Sequence, residues 1–236
     1  MRFLKNPLIL ALDVDSKEDA FKILDHVGDL VGGVKLGPRL NYRYGAEFVK
    51  EVAEIAPVFV DNKYFDIPST MIASVRASFE AGATLVTVHA LAGPEALKAL
   101  WQLEAELNQI RPFKILAVTV LTSWSAQSMS ASFHSWSVEN HVRNLTQEVY
   151  ASGLRGLVCS GHELEYLNYP GLYKVIPGIR LSTDQSHQNA NEDQKRIMTP
   201  KQAMKSGASA LVIGRPILQS HQPRETIFEI LESCSI

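Results

Sequence analysis

The chain has few cysteines and no long apolar segment. Its two cysteines, Cys159 and Cys234, do not form a Cys-x-x-Cys pair, which argues against a disulfide framework or a thiolate metal site. The apolar run Leu8–Leu12 ends at Asp13 and is too short for a signal-peptide core or a membrane span. We therefore predict a cytoplasmic protein with no membrane partner and no bound metal.

The chain also lacks an excess of charge of either sign. Its formal net charge is -2 at pH 7, which gives no reason to expect nucleic acid as a partner. Hydrophobic residues make up 46% of the 236 residues and charged residues 20%. This composition is ordinary for a globular protein and leaves ample material for a large core.

Eight short apolar runs alternate with longer amphipathic stretches. Their nearly continuous apolar character is typical of strands buried on both faces, as in a parallel sheet. The predicted strands are Leu8–Val14, Val31–Gly37, Val58–Tyr64, Leu85–His89, Ile115–Leu121, Gly156–Ser160, Lys174–Ile179 and Ala210–Ile213.

Helices are predicted between most of these runs, with starts at Ser or Pro and stops at Gly. Eight strand–helix units in one chain predict an α/β fold, a single (β/α)8 TIM barrel spanning residues 1–236 as one domain. A doubly wound sheet is the main alternative, but no Gly-x-Gly-x-x-Gly turn follows the first strand. The predicted helices are 16–27, 68–81, 94–108, 138–152, 200–206 and 223–233.

Two connections are unusually long. Ser123–Ser137 is rich in Ser, and Leu181–Ile197 is polar, with several Gln and Asn. Both follow predicted strands, so both would lie at the C-terminal mouth of a barrel, where active sites are found. Long loops of this kind are typical of functional lids, and a disordered insertion is the alternative.

Charged residues collect at the ends of the first three strands. Asp61 and Lys63 are two apart on the third strand, so both are expected to point into the barrel mouth, and Asp66 follows them. Asp13 and Lys35 end the first two strands. An isolated Asp-x-Lys pair would be read as a structural ion pair, but five charges of alternating sign indicate a reaction centre in which the carboxylates favour the ammonium forms.

The segment Asp61–Thr70 resembles the Asp-x-Lys-x-x-Asp-Ile-Pro-x-Thr signature of the orotidine 5′-monophosphate decarboxylase family, and the resemblance spans nearly the whole chain. It implies decarboxylation of orotidylate to uridylate, the last step of UMP biosynthesis, without a cofactor. Further matching segments are Val34–Gly37, Thr87–Ala90, Leu121–Ser123, Pro177–Arg180, Asp193–Pro200 and Ile213–Ile217.

The resemblance also implies roles for the charged residues. Lys63 would protonate the C6 carbanion, and Asp61 would sit against the leaving carboxylate and hold Lys63. Asp66 would complete the network from the neighbouring subunit of a homodimer, with Ile67 and Thr70 also reaching across the interface.

The remaining implied roles concern the rest of the nucleotide. Lys35, part of the catalytic charge network, and Asp13 would hold the ribose hydroxyls, while Thr122 and Ser123 would lie near the pyrimidine. Gln194 would join the phosphate-side loop, and Gln185 or Gln188 could take its place because this loop is long.

A phosphate site is also expected on physical grounds. Barrels of this kind often bind phosphate at the loops after strands seven and eight. Pro177–Arg180 follows the seventh strand, and Gly214 and Arg215 follow the eighth. Gly214 allows the backbone to approach a phosphate oxygen, and Arg215 offers a bidentate cation. A surface charge is the alternative for either arginine.

Three alternative functions remain open. A 3-keto-gulonate 6-phosphate type decarboxylase would need Mg²⁺ near the second strand, where Lys35 would repel the ion. Ribulose-phosphate epimerase shares the barrel, but its metal-binding histidines are not evident. A non-catalytic phosphate-binding barrel would have no need for the charge cluster.

Overall fold

The computed structural model describes residues 3–124, 128–133, 135–181 and 198–234. Eight parallel strands close into a barrel in which each strand pairs with its sequence neighbours and β8 pairs with β1. This confirms the predicted TIM barrel. The strands are β1 (Leu8–Ala11), β2 (Gly33–Leu36), β3 (Val58–Tyr64), β4 (Ala83–His89), β5 (Lys114–Val118), β6 (Gly156–Val158), β7 (Tyr173–Ile176) and β8 (Ala210–Ile213).

Helices surround the barrel, and most begin at a residue that the sequence marks as a start. Ser16 and Ser137 cap helices through their side chains, and prolines occupy the first turns of several others. The helices in the described part of the chain are α1 (Lys17–Val27), α2 (Pro38–Ala53), α3 (Pro68–Glu80), α4 (Gly93–Leu107), α5 (Val138–Ser152), α6 (Pro200–Lys205), α7 (Arg215–Leu218) and α8 (Pro223–Cys234).

Two apolar clusters hold this arrangement together. The larger one lies between the outer faces of the strands and the helices. The smaller one fills the barrel interior with residues at every second strand position. Its buried members are Leu4, Ile9, Ala11, Phe59, Leu85, Leu116, Val175, Ala210 and Val212.

Helix α2 was missing from the sequence prediction. Its buried apolar residues are sparse in the first half, and Gly45 interrupts the helix with φ 67° and ψ −160°. A 3₁₀ helix, Gly161–Tyr166, follows β6 in place of an α-helix. The predicted eight strand–helix units are present, with a 3₁₀ helix in the sixth.

Several strands are shorter than predicted. β1 ends at Ala11 and β5 at Val118. The prediction extended both strands because their apolar runs continue past the last paired residues. Asp13 therefore lies two residues beyond β1. No helix in the described ranges is both long and apolar enough to cross a membrane.

Candidate active site

A cavity of about 470 Å³ opens at the C-terminal ends of the strands. Its apolar lining continues the barrel interior, and its charged lining comes from residues at or just past the ends of β1, β2, β3, β7 and β8. The lining residues are Ala11, Asp13, Lys35, Arg39, Phe59, Asp61, Lys63, Val118, Val120, Leu121, Thr122, Val158, Pro177, Gly178, Arg180, Val212, Gly214 and Arg215.

Four of these side chains form a continuous row of alternating charge. The Lys35 ammonium lies 3.2 Å from Asp13 Oδ1 and 3.7 Å from Asp61 Oδ2. The Lys63 ammonium lies 2.9 Å from Asp61 Oδ1. The sequence predicted that these residues would meet, and the structure brings all four to one wall of the cavity.

Asp61 is the most enclosed carboxylate of the row. Burial alone would raise the pKa of its carboxyl group, but the charges of Lys35 and Lys63 and hydrogen bonds from Lys63 and Thr87 hold that pKa below its usual value. Asp61 is therefore ionised at neutral pH and accepts hydrogen bonds through Oδ1 from two donors.

The strand that carries Asp61 and Lys63 is irregular where it meets β4. Val60 pairs with Val86 and Tyr64 with Val88, so three residues of β3 stand opposite one residue of β4, Thr87. Lys63 adopts φ 50° and is the sole non-glycine residue with positive φ in the described ranges. Such irregularities re-aim side chains beside active sites.

A second network holds the outer face of this segment. Asn62 Oδ1 accepts from Asn41 Nδ2 at 2.9 Å, and Asn62 Nδ2 donates to the Tyr64 hydroxyl at 3.0 Å. The Tyr64 hydroxyl also lies 2.9 Å from Ser78 Oγ. β3 is thereby tied to α2 and α3 directly behind the charged row.

The part of the cavity at the ends of β7 and β8, next to β1, carries the residues predicted to bind phosphate. Pro177 and Arg180 follow β7, and Gly214 and Arg215 follow β8; all four line the cavity. A Cβ atom on Gly214 would lie 3.2 Å from the Ala11 Cβ atom. A side chain at this position would therefore crowd β1.

The chain matches one family of known proteins over most of its length. Residues 6–230 match the model of the orotidine 5'-phosphate decarboxylase / HUMPS family. This chain belongs to that family.

Individual relatives cover nearly the whole chain. Orotidine 5'-phosphate decarboxylase of Erythrobacter litoralis is 35% identical over 96% of this chain and 98% of its own length. That of Rhodopseudomonas palustris is 37% identical over 94% of this chain and 91% of its own. The crystal structure of the enzyme from Lactobacillus acidophilus superposes with a TM-score of 0.83 at 31% identity, covering 98% of this chain and all of that one.

Some family-type residues lie outside the cavity lining. Asp66, Ile67 and Thr70 are exposed on the segment after β3, with Ile67 64% exposed, and Asp66 Oδ1 accepts from the Ile67 N–H at 2.6 Å. Thr122 lines the cavity, whereas the exposed Ser123 does not. Among the predicted ligands, Gln194 and its alternatives Gln185 and Gln188 lie outside the described residues.

The sequence interpretation missed two polar residues here. Arg39, at the start of α2, lines the cavity and pairs with Asp15 through a 3.0 Å contact. Thr87 contacts both Lys63 and Asp61. A sequence feature could have identified each of them as a site residue. Arg39 follows the end of a strand, and Thr87 is a polar residue in the apolar run of β4.

His89 lies beside this centre at the end of β4. Burial, and then the positive charge of Lys63, lower the pKa of its imidazole. Its Nδ1 atom accepts from the Leu91 N–H at 3.3 Å, and its ring lies 5.6 Å from that of Phe65. No group of three or more His, Cys, Asp or Glu side chains within the described ranges is placed to hold a metal ion.

Proposed function

We propose that this protein decarboxylates orotidine 5′-monophosphate to uridine 5′-monophosphate in pyrimidine biosynthesis. The observation that carries the proposal is the row Asp13–Lys35–Asp61–Lys63 along one wall of a cavity that Arg180 and Arg215 also line. The relatives at 35% and 37% identity bear the name of this activity.

Lys63 is the proposed proton donor. Breaking the bond between C6 and the carboxylate releases CO₂ and leaves the electron pair on C6 with little delocalisation. An ammonium fixed beside that carbon stabilises the developing charge and then gives it a proton, so that uridylate forms and Lys63 is left as the amine. The contact with ionised Asp61 supports this role, because it fixes the ammonium at the cavity wall.

Asp61 is proposed to face the leaving carboxylate. Its position between Lys35 and Lys63 keeps it charged, and a carboxylate there orients both lysines before substrate arrives. Preorganised charge of this kind is the largest contribution in many enzymes. Lys35 and Asp13 are proposed to bind the ribose hydroxyls, and Thr122, which lines the cavity, to lie near the pyrimidine.

The phosphate is proposed to bind at the ends of β7 and β8. Pro177, Arg180, Gly214 and Arg215 would contact it, together with Gln194. Barrels of this architecture commonly bind phosphate at these two loops. Because the phosphate is remote from the bond that breaks, its binding energy can be used to hold the reacting ring in place.

A homodimer is proposed to complete the site. The exposed residues after β3 support this, since Phe65 and Ile67 present 61% and 64% of their surface. Asp66, Ile67 and Thr70 would then enter the neighbouring subunit's site.

The sugar-phosphate decarboxylase alternative fits this cavity less well. That reaction requires Mg²⁺ among carboxylates near the second strand. Here the Lys35 ammonium lies between Asp13 and Asp61, 3.2 Å and 3.7 Å from their oxygens. A divalent cation placed there would be repelled by Lys35.

The test is the loss of the orotate ultraviolet absorbance, followed with purified protein, orotidine 5′-monophosphate and EDTA. We expect turnover without added cofactor, no turnover by Lys63→Ala, and retained uridylate binding in that variant. Lys22→Ala, which removes an exposed lysine on α1, should behave as the unaltered protein. Folded, uridylate-binding protein that leaves the absorbance unchanged would refute the assignment, and sugar phosphates with Mg²⁺ would be tested next.

A further inference from the structure

Thr87 lies at the junction between β4 and the irregular segment of β3. It is fully buried and stands alone opposite Asp61, Asn62 and Lys63 in the strand pairing. Its neighbours on β4, Val86 and Val88, are apolar. A buried hydroxyl in such a strand is costly unless it is hydrogen-bonded.

The Thr87 hydroxyl makes two hydrogen bonds, one in each direction. Its oxygen accepts from the backbone N–H of Lys63 at 2.9 Å. It donates to Asp61 Oδ1 at 3.0 Å. A hydroxyl has one hydrogen to donate and lone pairs to accept with, so one side chain connects the backbone of Lys63 to the carboxylate of Asp61.

The first of these bonds has a clear physical purpose. The register shift removes the Lys63 N–H from the regular pairing with β4. The backbone of Lys63 also adopts φ 50°, a conformation that an L-residue with a long side chain rarely takes. The Thr87 oxygen supplies the acceptor that the strand pairing no longer offers, and it holds this backbone conformation in place.

The second bond fixes the rotation of the Asp61 carboxylate. Oδ1 accepts from both Thr87 and the Lys63 ammonium. Oδ2 is thereby directed toward Lys35, whose ammonium is 3.7 Å away. The hydroxyl thus sets the position of the Lys63 backbone and the orientation of its ionic partner together.

We infer that Thr87 is a positioning residue for the reaction, acting through Lys63 and Asp61. This inference rests on the proposed decarboxylation. It gives Thr87 no contact with substrate. Its effect is to place the Lys63 ammonium before the transition state forms. Displacement of a catalytic group by about 1 Å can lower the reaction rate by about a hundredfold.

Substitution at this position separates the hydroxyl from the shape of the side chain. Thr87→Val keeps the branched shape and removes the hydroxyl. Thr87→Ser keeps the hydroxyl, and Thr87→Ala lacks both the hydroxyl and the methyl group. The matched control is Thr146→Val on α5, because Thr146 is fully buried and its Oγ1 atom has no hydrogen-bond partner within the described ranges.

We expect Thr87→Val to lower kcat by about tenfold to a hundredfold, the size that an unpaired buried donor implies. KM and the dissociation constant of uridylate should change by less than about twofold, since ribose and phosphate contacts are retained. Thr87→Ser should keep most of the activity, Thr87→Ala should fall with the valine variant, and Thr146→Val should match the unaltered protein.

Equal kcat values for Thr87→Ser and Thr87→Ala would overturn the inference, as would a loss confined to uridylate binding. Comparison of the Ser and Ala variants tests the role of the hydroxyl even if the valine variant does not fold.

Hydrogen exchange of the Lys63 amide gives a readout independent of turnover. Protection in the unaltered protein and in Thr87→Ser, with faster exchange in Thr87→Ala, is expected, and equal protection in the two variants would contradict it. If the unaltered protein does not act on orotidylate, the proposed function is refuted. The exchange measurement would still test the hydrogen bond between the Lys63 N–H and Thr87.

Discussion

The side-chain amide of Asn41 donates to the side-chain oxygen of Asn62 over 2.9 Å, and so joins α2 to the outer face of β3. On the inner face, Asp61 and Lys63 flank Asn62 and reach the cavity. The two charged residues are therefore held from behind by a neutral amide network. The site depends on α2 and α3 as well as on the strands.

The Tyr64 hydroxyl connects this network to α3, and its removal should lower stability. Tyr64→Phe takes a hydrogen-bond partner from Asn62 Nδ2 and from Ser78 Oγ. We expect the free energy of unfolding to fall by about 1–2 kcal/mol. Urea denaturation measures this. The control is Tyr42→Phe, because Tyr42 is 79% exposed and its change should stay within about 0.5 kcal/mol. Equal effects of both substitutions would contradict a role for the network.

The His89 imidazole should stay neutral to lower pH than a solvated imidazole does. Burial and the Lys63 charge place the pKa of its imidazole below 6.5. The folded state then binds this proton less tightly than the unfolded chain, so its contribution to stability is complete above about pH 6.5 and declines as pH falls toward the folded pKa. NMR titration of the imidazole should give a midpoint below 6.5.

Replacement of His89 tests whether its protonation contributes to the pH dependence of stability. His89→Asn keeps an acceptor for the Leu91 N–H and removes the titrating group. We expect a smaller loss of stability between about pH 7 and pH 5.5 than in the unaltered protein. His221→Asn, at an exposed position after α7, should keep the original pH dependence. An imidazole midpoint at or above 6.5 would contradict the predicted lowering of the pKa.

Arg215 should act on substrates only through their phosphate. Arg215→Ala should lower kcat/KM for orotidine 5′-monophosphate by about tenfold to a hundredfold, because a charge-assisted contact is removed. Steady-state kinetics with orotidine, which lacks the phosphate, should show a change of less than about twofold. Arg224→Ala, which breaks the surface pair with Asp29, is the control. A similar loss with both substrates would assign Arg215 to another part of the site.

Mixed dimers test whether Asp66 serves the neighbouring subunit. Lys63→Ala and Asp66→Ala should each be inactive alone. After unfolding and refolding as an equal mixture, a two-fold dimer with one copy of each variant contains one fully native site, so activity should recover to about a quarter of the unaltered protein. Mixing the folded dimers without exchange of subunits is the control. No recovery, with dimers formed, would place Asp66 in the site of its own subunit.

The sequence alone predicted the architecture and the charged residues that meet at the mouth of the barrel. Eight nearly continuous apolar runs predict a parallel barrel. In such a barrel helices cover the outer face of the sheet and side chains fill the inside, so both faces of each strand are buried. Charges at the ends of those runs, such as Lys35, converge because the carboxyl ends of parallel strands meet at one mouth. The apolar pattern is clear in all eight runs, and each strand of the described structure overlaps one of them.

The tertiary structure decided what the local pattern does not encode. Alternation along a strand predicts that Asp61 and Lys63 face the same way, but it does not predict that β3 gains two residues against β4. Only the neighbouring strand supplies Thr87 to satisfy the displaced Lys63 N–H. Helix α2 is amphipathic, but Gly45 interrupts its helical backbone. Its position is fixed by packing of Phe48 and Val52 against the barrel. These features depend on contacts between segments distant in sequence, which is why only the folded chain shows them.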